Sequence, residues 1–185
     1  MPEDGLIQAT MNFEFTHRFR ASIEKVQKAM LDEAFPAFLL KHHPKMQEAV
    51  VQSREDKGNV VVRKVRYRPK PIIESVGPKK IPPEYLAFVE ESMFDLDKKR
   101  LEFKNVPTVG GVARHLSNRG TMTFRGTGDS CERVTSGQLE ITNLPFLLRP
   151  LAVIAERIIH VEAQKLLDQE AKVLQDFLDE QAKTA

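Results

Sequence analysis

From Pro145 to its last residue the chain contains no glycine, and after Pro150 no proline. Over the same stretch Leu147, Leu151, Ile154, Ile158, Leu166, Leu167, Val173, Leu174, Phe177 and Leu178 return at three- and four-residue steps. Charged residues fill the gaps. This is the pattern of one long amphipathic helix with a wide apolar stripe, and Pro150 falls where a first helical turn tolerates it. A stripe of that length has to be buried against another layer, so it dictates what the rest of the chain must supply.

The rest reads as strands with one helical interruption. Residues 11–20, MNFEFTHRFR, alternate: Met11, Phe13, Phe15, His17 and Phe19 share one face, polar residues the other. Period two with aromatic content marks a half-buried strand. Ser22 then suits an N-cap, with Ile23, Val26 and Met30 at helical spacing. Pro36 is expected to break this helix, and AFLLKHH (37–43) to form a second short one closed by Pro44. Strand patterns follow at 46–54, 60–67, 84–94, 101–106, 117–124 and 133–142, most joined by short polar turns such as EDKGN and RGTGDSCE. The pair Gly110 and Gly111 is expected to bend the connection between two of them. Residues 1–10 are expected to form a mobile tail and 11–182 a single domain.

The economical way to combine these parts is an α+β fold of the helix-grip kind. A curved antiparallel sheet of about seven strands, with two short helices after the first, carries the long C-terminal helix across its face. The 41% hydrophobic content of the 185 residues is enough for one sizeable core. Large apolar residues expected to point inward include Phe13, Phe19, Phe94 and Phe103 as well as Phe15, Phe88, Phe124, Ile154 and Ile158. They suit either a filled core or the wall of an apolar pocket.

Composition narrows the function classes. A net charge of +2 gives no global case for nucleic acid. The single cysteine, Cys131, excludes an internal disulfide framework and reads as an incidental thiol in a turn. The acidic N-terminus lacks a secretory pattern and no run reaches the roughly 20 apolar residues of a membrane span. The expectation is a soluble cytoplasmic protein. Five histidines and one cysteine show no zinc spacing, no nucleotide-binding or nucleophile-elbow motif occurs, and no cofactor is expected.

One connection is unusual. RYRPKPIIESVGPKKIPPEYLAF (66–88) joins two strands through Pro69, Pro71, Pro78, Pro82 and Pro83, so regular structure is not expected there. Connections longer than about 12 residues are uncommon and often serve as lids. Ile72, Ile73 and Val76 call for something apolar to cover, while Lys79 and Lys80 add to a basic rim. An apolar tip in a basic rim suits transient docking to an anionic membrane surface. It suits equally a solvated loop. Two charged groups fall on otherwise apolar faces: Arg63 between Val61 and Val65, and Glu162 between Ile158 and Leu166. Together they would fix a polar head group inside a cavity; the alternative is that both snorkel to water. His17 reads as a hydrogen-bonded core histidine or a ligand contact, and Tyr67 as a further ligand contact.

The order strand, two short helices, antiparallel strands, long C-terminal helix resembles that of the START-like, or SRPBCC, superfamily. FTHRFRASIEKVQKAMLDEAFP, the loop RPKPIIESVGPKKIPPEY and FVEESMFDLDKKRLEFKN also look similar to the corresponding parts of PRELI-type phospholipid carriers. An uncharacterised bacterial branch is an equal alternative. The resemblance implies a cavity between sheet and helix and the binding or intracellular transfer of a hydrophobic small molecule, most simply a lipid. It also admits a cyclase/aromatase-like enzyme, for which His17 and Glu162 are the acid/base pair to test, or a co-chaperone-like module with a filled core.

Overall fold

The computed structural model describes residues 7–71, 75–76, 79–80, 82–144 and 149–184. The strands in chain order are β1 (Ile7–Phe19), β2 (Met46–Lys57), β3 (Val60–Pro69), β4 (Ser75–Val76), β5 (Lys79–Lys80), β6 (Phe88–Asp95), β7 (Arg100–Pro107), β8 (Leu116–Arg125) and β9 (Cys131–Leu144). Seven of them form the main antiparallel sheet, in the order β1-β9-β8-β7-β6-β3-β2, while β4 and β5 pair with each other. The helices are α1 (Ile23–Leu31), α2 (Phe35–His42), α3 (Gly110–Ala113) and the 36-residue α4 (Arg149–Thr184). This is the helix-grip α+β arrangement expected from the sequence, a curved sheet closed by a long C-terminal helix.

Local chemistry explains the element ends. Ser22 caps α1, its hydroxyl accepting from the amide of Lys25. The chain turns between β2 and β3 at Gly58, whose φ of +64° suits glycine. Gly120 of β8 and Gly137 of β9 face each other in register. A Cβ on Gly137 would come within 2.5 Å of the Phe13 ring, and one on Gly120 within 2.8 Å of Phe103. Two phenylalanine rings thus lie directly on backbone, which only paired glycines allow.

Four details differ from the sequence reading. Strand β1 begins at Ile7, because residues 7–10 pair with the end of β9 through a bulge, whatever their weak alternation. Pro36 does not break a helix. It sits in the first turn of α2, and the break lies at Asp32, whose carboxylate accepts from the amide of Ala34. The connection after β3 does contain regular pieces: the β4–β5 ribbon, then a 3₁₀ turn at Pro83–Leu86. The ribbon residues are not prolines and keep their donors, while Pro82 and Pro83 start a turn that needs none. Cys131 is not in a turn. It opens β9 and is buried, which raises its thiol pKa.

The packed core occupies one end of the grip. There α1, α2 and the last turns of α4 meet the sheet, with Val26, Phe94, Leu101, Val173 and Leu174 almost completely buried. Phe177 of α4 packs against Phe35 and Phe38 of α2, ring centroids 5.4 and 5.0 Å apart. Among the described residues no helix is long and apolar enough to cross a membrane.

Candidate ligand cavity

Beyond the core the sheet and α4 part, and a cavity of about 410 Å³ opens between them. The inward positions of several elements build it. Phe13 and Phe15 come from β1, Tyr67 from β3, Phe88 from β6, Phe103 from β7 and Met122 from β8, while Leu166 and Leu167 close it from α4. Inward positions are two apart along each strand, so period-two alternation alone delivers apolar side chains to one wall. Tyr85 and Leu86 of the 3₁₀ turn line the same space.

A polar cluster interrupts the apolar wall. Arg63, Glu90, Asn105, Asn118, Thr135 and Glu170 all line the cavity. Arg133, completely buried on β9, donates to both carboxylate oxygens of Glu170, one contact at 3.0 Å, and its guanidinium lies 5.3 Å from the centre of the Phe19 ring. Arg63, buried on β3, donates through Nη1 to the carbonyl of Met30 at 2.7 Å and lies over Phe94 at 5.4 Å. That carbonyl belongs to the last turn of α1, where a cation is favoured. Glu90 faces Val65 across the β3–β6 ladder. Burial pushes its carboxyl pKa up, and Arg63 opposes that shift. Burial also raises the Tyr67 hydroxyl, with the charge of Glu90 second. The hydroxyl of Thr135 is buried without a partner.

His43 ties the cavity's helical walls together. Its Nδ1 accepts from the amide of Lys45 and its Nε2 donates to the carbonyl of Leu166 in α4, at 3.2 Å each. These partners require the proton on Nε2.

The residues singled out in the sequence divide clearly. Phe15, Arg63, Tyr67 and Phe88 line the cavity together. His17 does not: its Nε2 meets Asp168 Oδ1 at 3.0 Å, and neither residue lines the cavity. Phe124 is part of the packed core. Glu162 also stays outside the cavity wall, bonded to Lys45 and Lys165 at 2.7 Å each, which lowers its carboxyl pKa. The pairing of Arg63 with Glu162 is therefore not formed. A strand arginine and a helix carboxylate do meet, but they are Arg133 and Glu170, eight residues or about 12 Å further along α4. His17 and Glu162 do not meet either, since His17 takes Asp168. The side chains of Ile154 and Ile158 lie outside the described residues, as do Ile72 and Ile73. Val76, Lys79 and Lys80 belong to the β4–β5 ribbon, with side chains likewise outside the description. Among the described residues no three histidine, cysteine, aspartate or glutamate side chains gather as a metal site.

Solved structures share this architecture across nearly the whole chain. TTHA0849 from Thermus thermophilus aligns over 89% of this chain and 97% of its own, at 18% identity and a TM-score of 0.61. The Zhui aromatase/cyclase from Streptomyces sp. R1128 aligns over 91% and 94%, at 13% identity and 0.59. Norcoclaurine synthase from Thalictrum flavum aligns over 92% and 87%, at 14% identity and 0.57. These likenesses establish a shared helix-grip fold and leave the chemistry to the site. No curated protein matches the sequence. A family model does, over residues 14–178, and the chain therefore belongs to the family described as protein of unknown function DUF2505.

Proposed function

We propose that this protein binds a hydrophobic small molecule, in the simplest case a lipid, between its sheet and α4, and carries it within the cell. The observation that supports this most directly is the apolar wall around a space of about 410 Å³, with its polar groups gathered into one cluster. Ligand sites have this design: an apolar lining fills the energetic role and a few polar groups set orientation. The volume equals about 14 water molecules, which suits one chain or a compact ring system better than a two-chain phospholipid. On this reading the described ends of the connection after β3 border the cavity through Tyr67, Pro69, Tyr85 and Leu86, and the ribbon's Val76, Lys79 and Lys80, with Ile72 and Ile73, are the proposed membrane contact.

Native mass spectrometry of the purified protein, followed by extraction of bound material, tests the reading. A co-purified apolar molecule, displaced when Phe88→Arg is introduced into the wall, is the expected result. No bound molecule, together with no uptake of a fluorescent fatty-acid probe, would overturn it.

One observation favours a second reading, an enzyme on the same scaffold. Glu90 is a half-buried carboxyl on the cavity wall, its pKa raised, near Tyr67, which is what a general acid or base in an apolar pocket requires. Turnover of an aromatic or polyketone substrate that Glu90→Gln abolishes would favour it over simple carriage.

A further inference from the structure

Among the described residues two arginines are buried under the sheet, and only one of them is in an ion pair. Arg133 is held by the Glu170 carboxylate. Arg63 is 5% exposed, yet among the described residues no carboxylate forms an ion pair with it. Its Nη1 is used on the Met30 carbonyl, and its Nε is buried with no partner. A buried cation without a counter-charge is costly, and this one faces a cavity.

The groups around Glu90 show where the counter-charge comes from. Arg63 and Tyr67 face it from β3, Asn105 is its register partner on β7, Arg133 approaches from β9 and Glu170 from α4, with Ser92 on its own strand. His43 closes the same cavity from the end of α2. While the Glu90 carboxyl is neutral, the two guanidinium groups face, among the described residues, only the Glu170 carboxylate, and one positive charge is left over. When Glu90 ionises, it supplies the missing charge itself.

We propose that the cavity selects apolar molecules bearing one oxyanionic head group, such as a carboxylate, seated against the Arg63 guanidinium. The inference rests on the cavity being a ligand site, and it names the ligand's class. The alkyl or ring body fills the apolar wall. The oxyanion accepts from Arg63, and Thr135, whose hydroxyl has no partner, lines the same cavity. Glu90 competes with the ligand: raising the pH ionises it and returns Arg63 to an internal partner.

The matched pair decanoate and 1-decanol tests this by calorimetry or probe displacement between pH 6 and 9. The wild-type protein should hold decanoate about tenfold more tightly than decanol while Glu90 is neutral, the worth of one charge-assisted hydrogen bond, and the preference should shrink as pH rises and Glu90 ionises. In Glu90→Gln the preference should persist unchanged across the range. Arg63→Met should bind both molecules alike, with circular dichroism confirming that it folds. If Arg63→Met fails to fold, the pH profile of Glu90→Gln against wild type decides alone. Equal binding of the two ligands by wild-type protein would overturn the proposal while leaving the cavity reading intact. So would a preference that survives Arg63→Met, or one that falls with pH in Glu90→Gln as in wild type. Binding of neither ligand would sink both the charge selection and the cavity reading.

Discussion

Arg63 on β3 and Arg133 on β9 occupy nearly equivalent surroundings in different parts of the sheet. Each lies over a phenylalanine, Phe94 at 5.4 Å and Phe19 at 5.3 Å. Each touches Met30, one at the carbonyl and one at the sulfur. They differ in what completes the guanidinium. For Arg133 it is the two oxygens of Glu170; for Arg63 it is a helix carbonyl alone, and the Nε of each is buried without a partner. The closed pair fastens α4 to β9, and the open one leaves a cation beside the cavity. Interactions of the first kind serve the fold, and those of the second leave binding capacity unused by the protein.

The largest effect should follow from opening the closed pair. Glu170→Gln leaves Arg133 fully buried with no counter-charge, which costs about 3–5 kcal/mol, or on the order of 10 °C in melting temperature for a chain of this size. The double change Arg133→Met with Glu170→Leu removes both charges and should recover most of the loss. Thermal denaturation of the three proteins measures this directly. If Glu170→Gln melts with wild type, the pair is not what anchors α4.

Removing the open arginine should matter less. Arg63→Met loses the bond to the Met30 carbonyl, about 1 kcal/mol by itself, and the stacking on Phe94. Against that, it removes a buried charge that lacked an ion-pair partner. A loss of about 1–2 kcal/mol in urea denaturation is expected. Arg54 limits the damage, because its Nη1 donates to the neighbouring Leu31 carbonyl at 2.6 Å and still covers the end of α1. A cost equal to that of Glu170→Gln would erase the distinction between the two arginines.

The same distinction shows how far sequence reaches. The strands were legible because alternation survives in them, and the Ser22 cap because its chemistry is local. Arg63 stood out as a charge on an apolar strand face, and the structure places it at the cavity. Arg133 met the same criterion, lying two residues from Cys131 and from Thr135 on the inward face of β9, and it was missed. Glu170 likewise lies between Leu167 and Leu174 on the helix stripe, as Glu162 does between Ile158 and Leu166. Periodicity identifies both carboxylates as inward candidates. It does not say which turn of α4 passes over β9, since that depends on how the whole helix lies across the sheet. Lys45, in the turn between α2 and β2, and Lys165 both hold Glu162 outside the cavity wall, and the contact with Lys45 spans 117 residues of sequence.

The smallest and most specific effect belongs to Glu90→Gln. Below 4.5, the ordinary glutamate value, folded and unfolded chains both hold the Glu90 proton, so the variant and wild type should melt together. As pH rises, the unfolded chain releases that proton first, because the folded pKa is raised. The folded state then binds more protons than the unfolded state, and wild-type stability falls with pH until the folded carboxyl ionises too. Glutamine has no proton to lose, so the variant should become the more stable of the two toward neutral pH and above, by no more than about 1 kcal/mol. Glu24, Glu91, Asp95 and Glu132 have lowered pKa values and weaken both proteins alike as pH falls, so the difference between the melting curves isolates Glu90. If wild type instead became the more stable of the two as pH rose, Glu90 would be ionised and paired in the folded protein. Arg63 would then be as fully neutralised as Arg133.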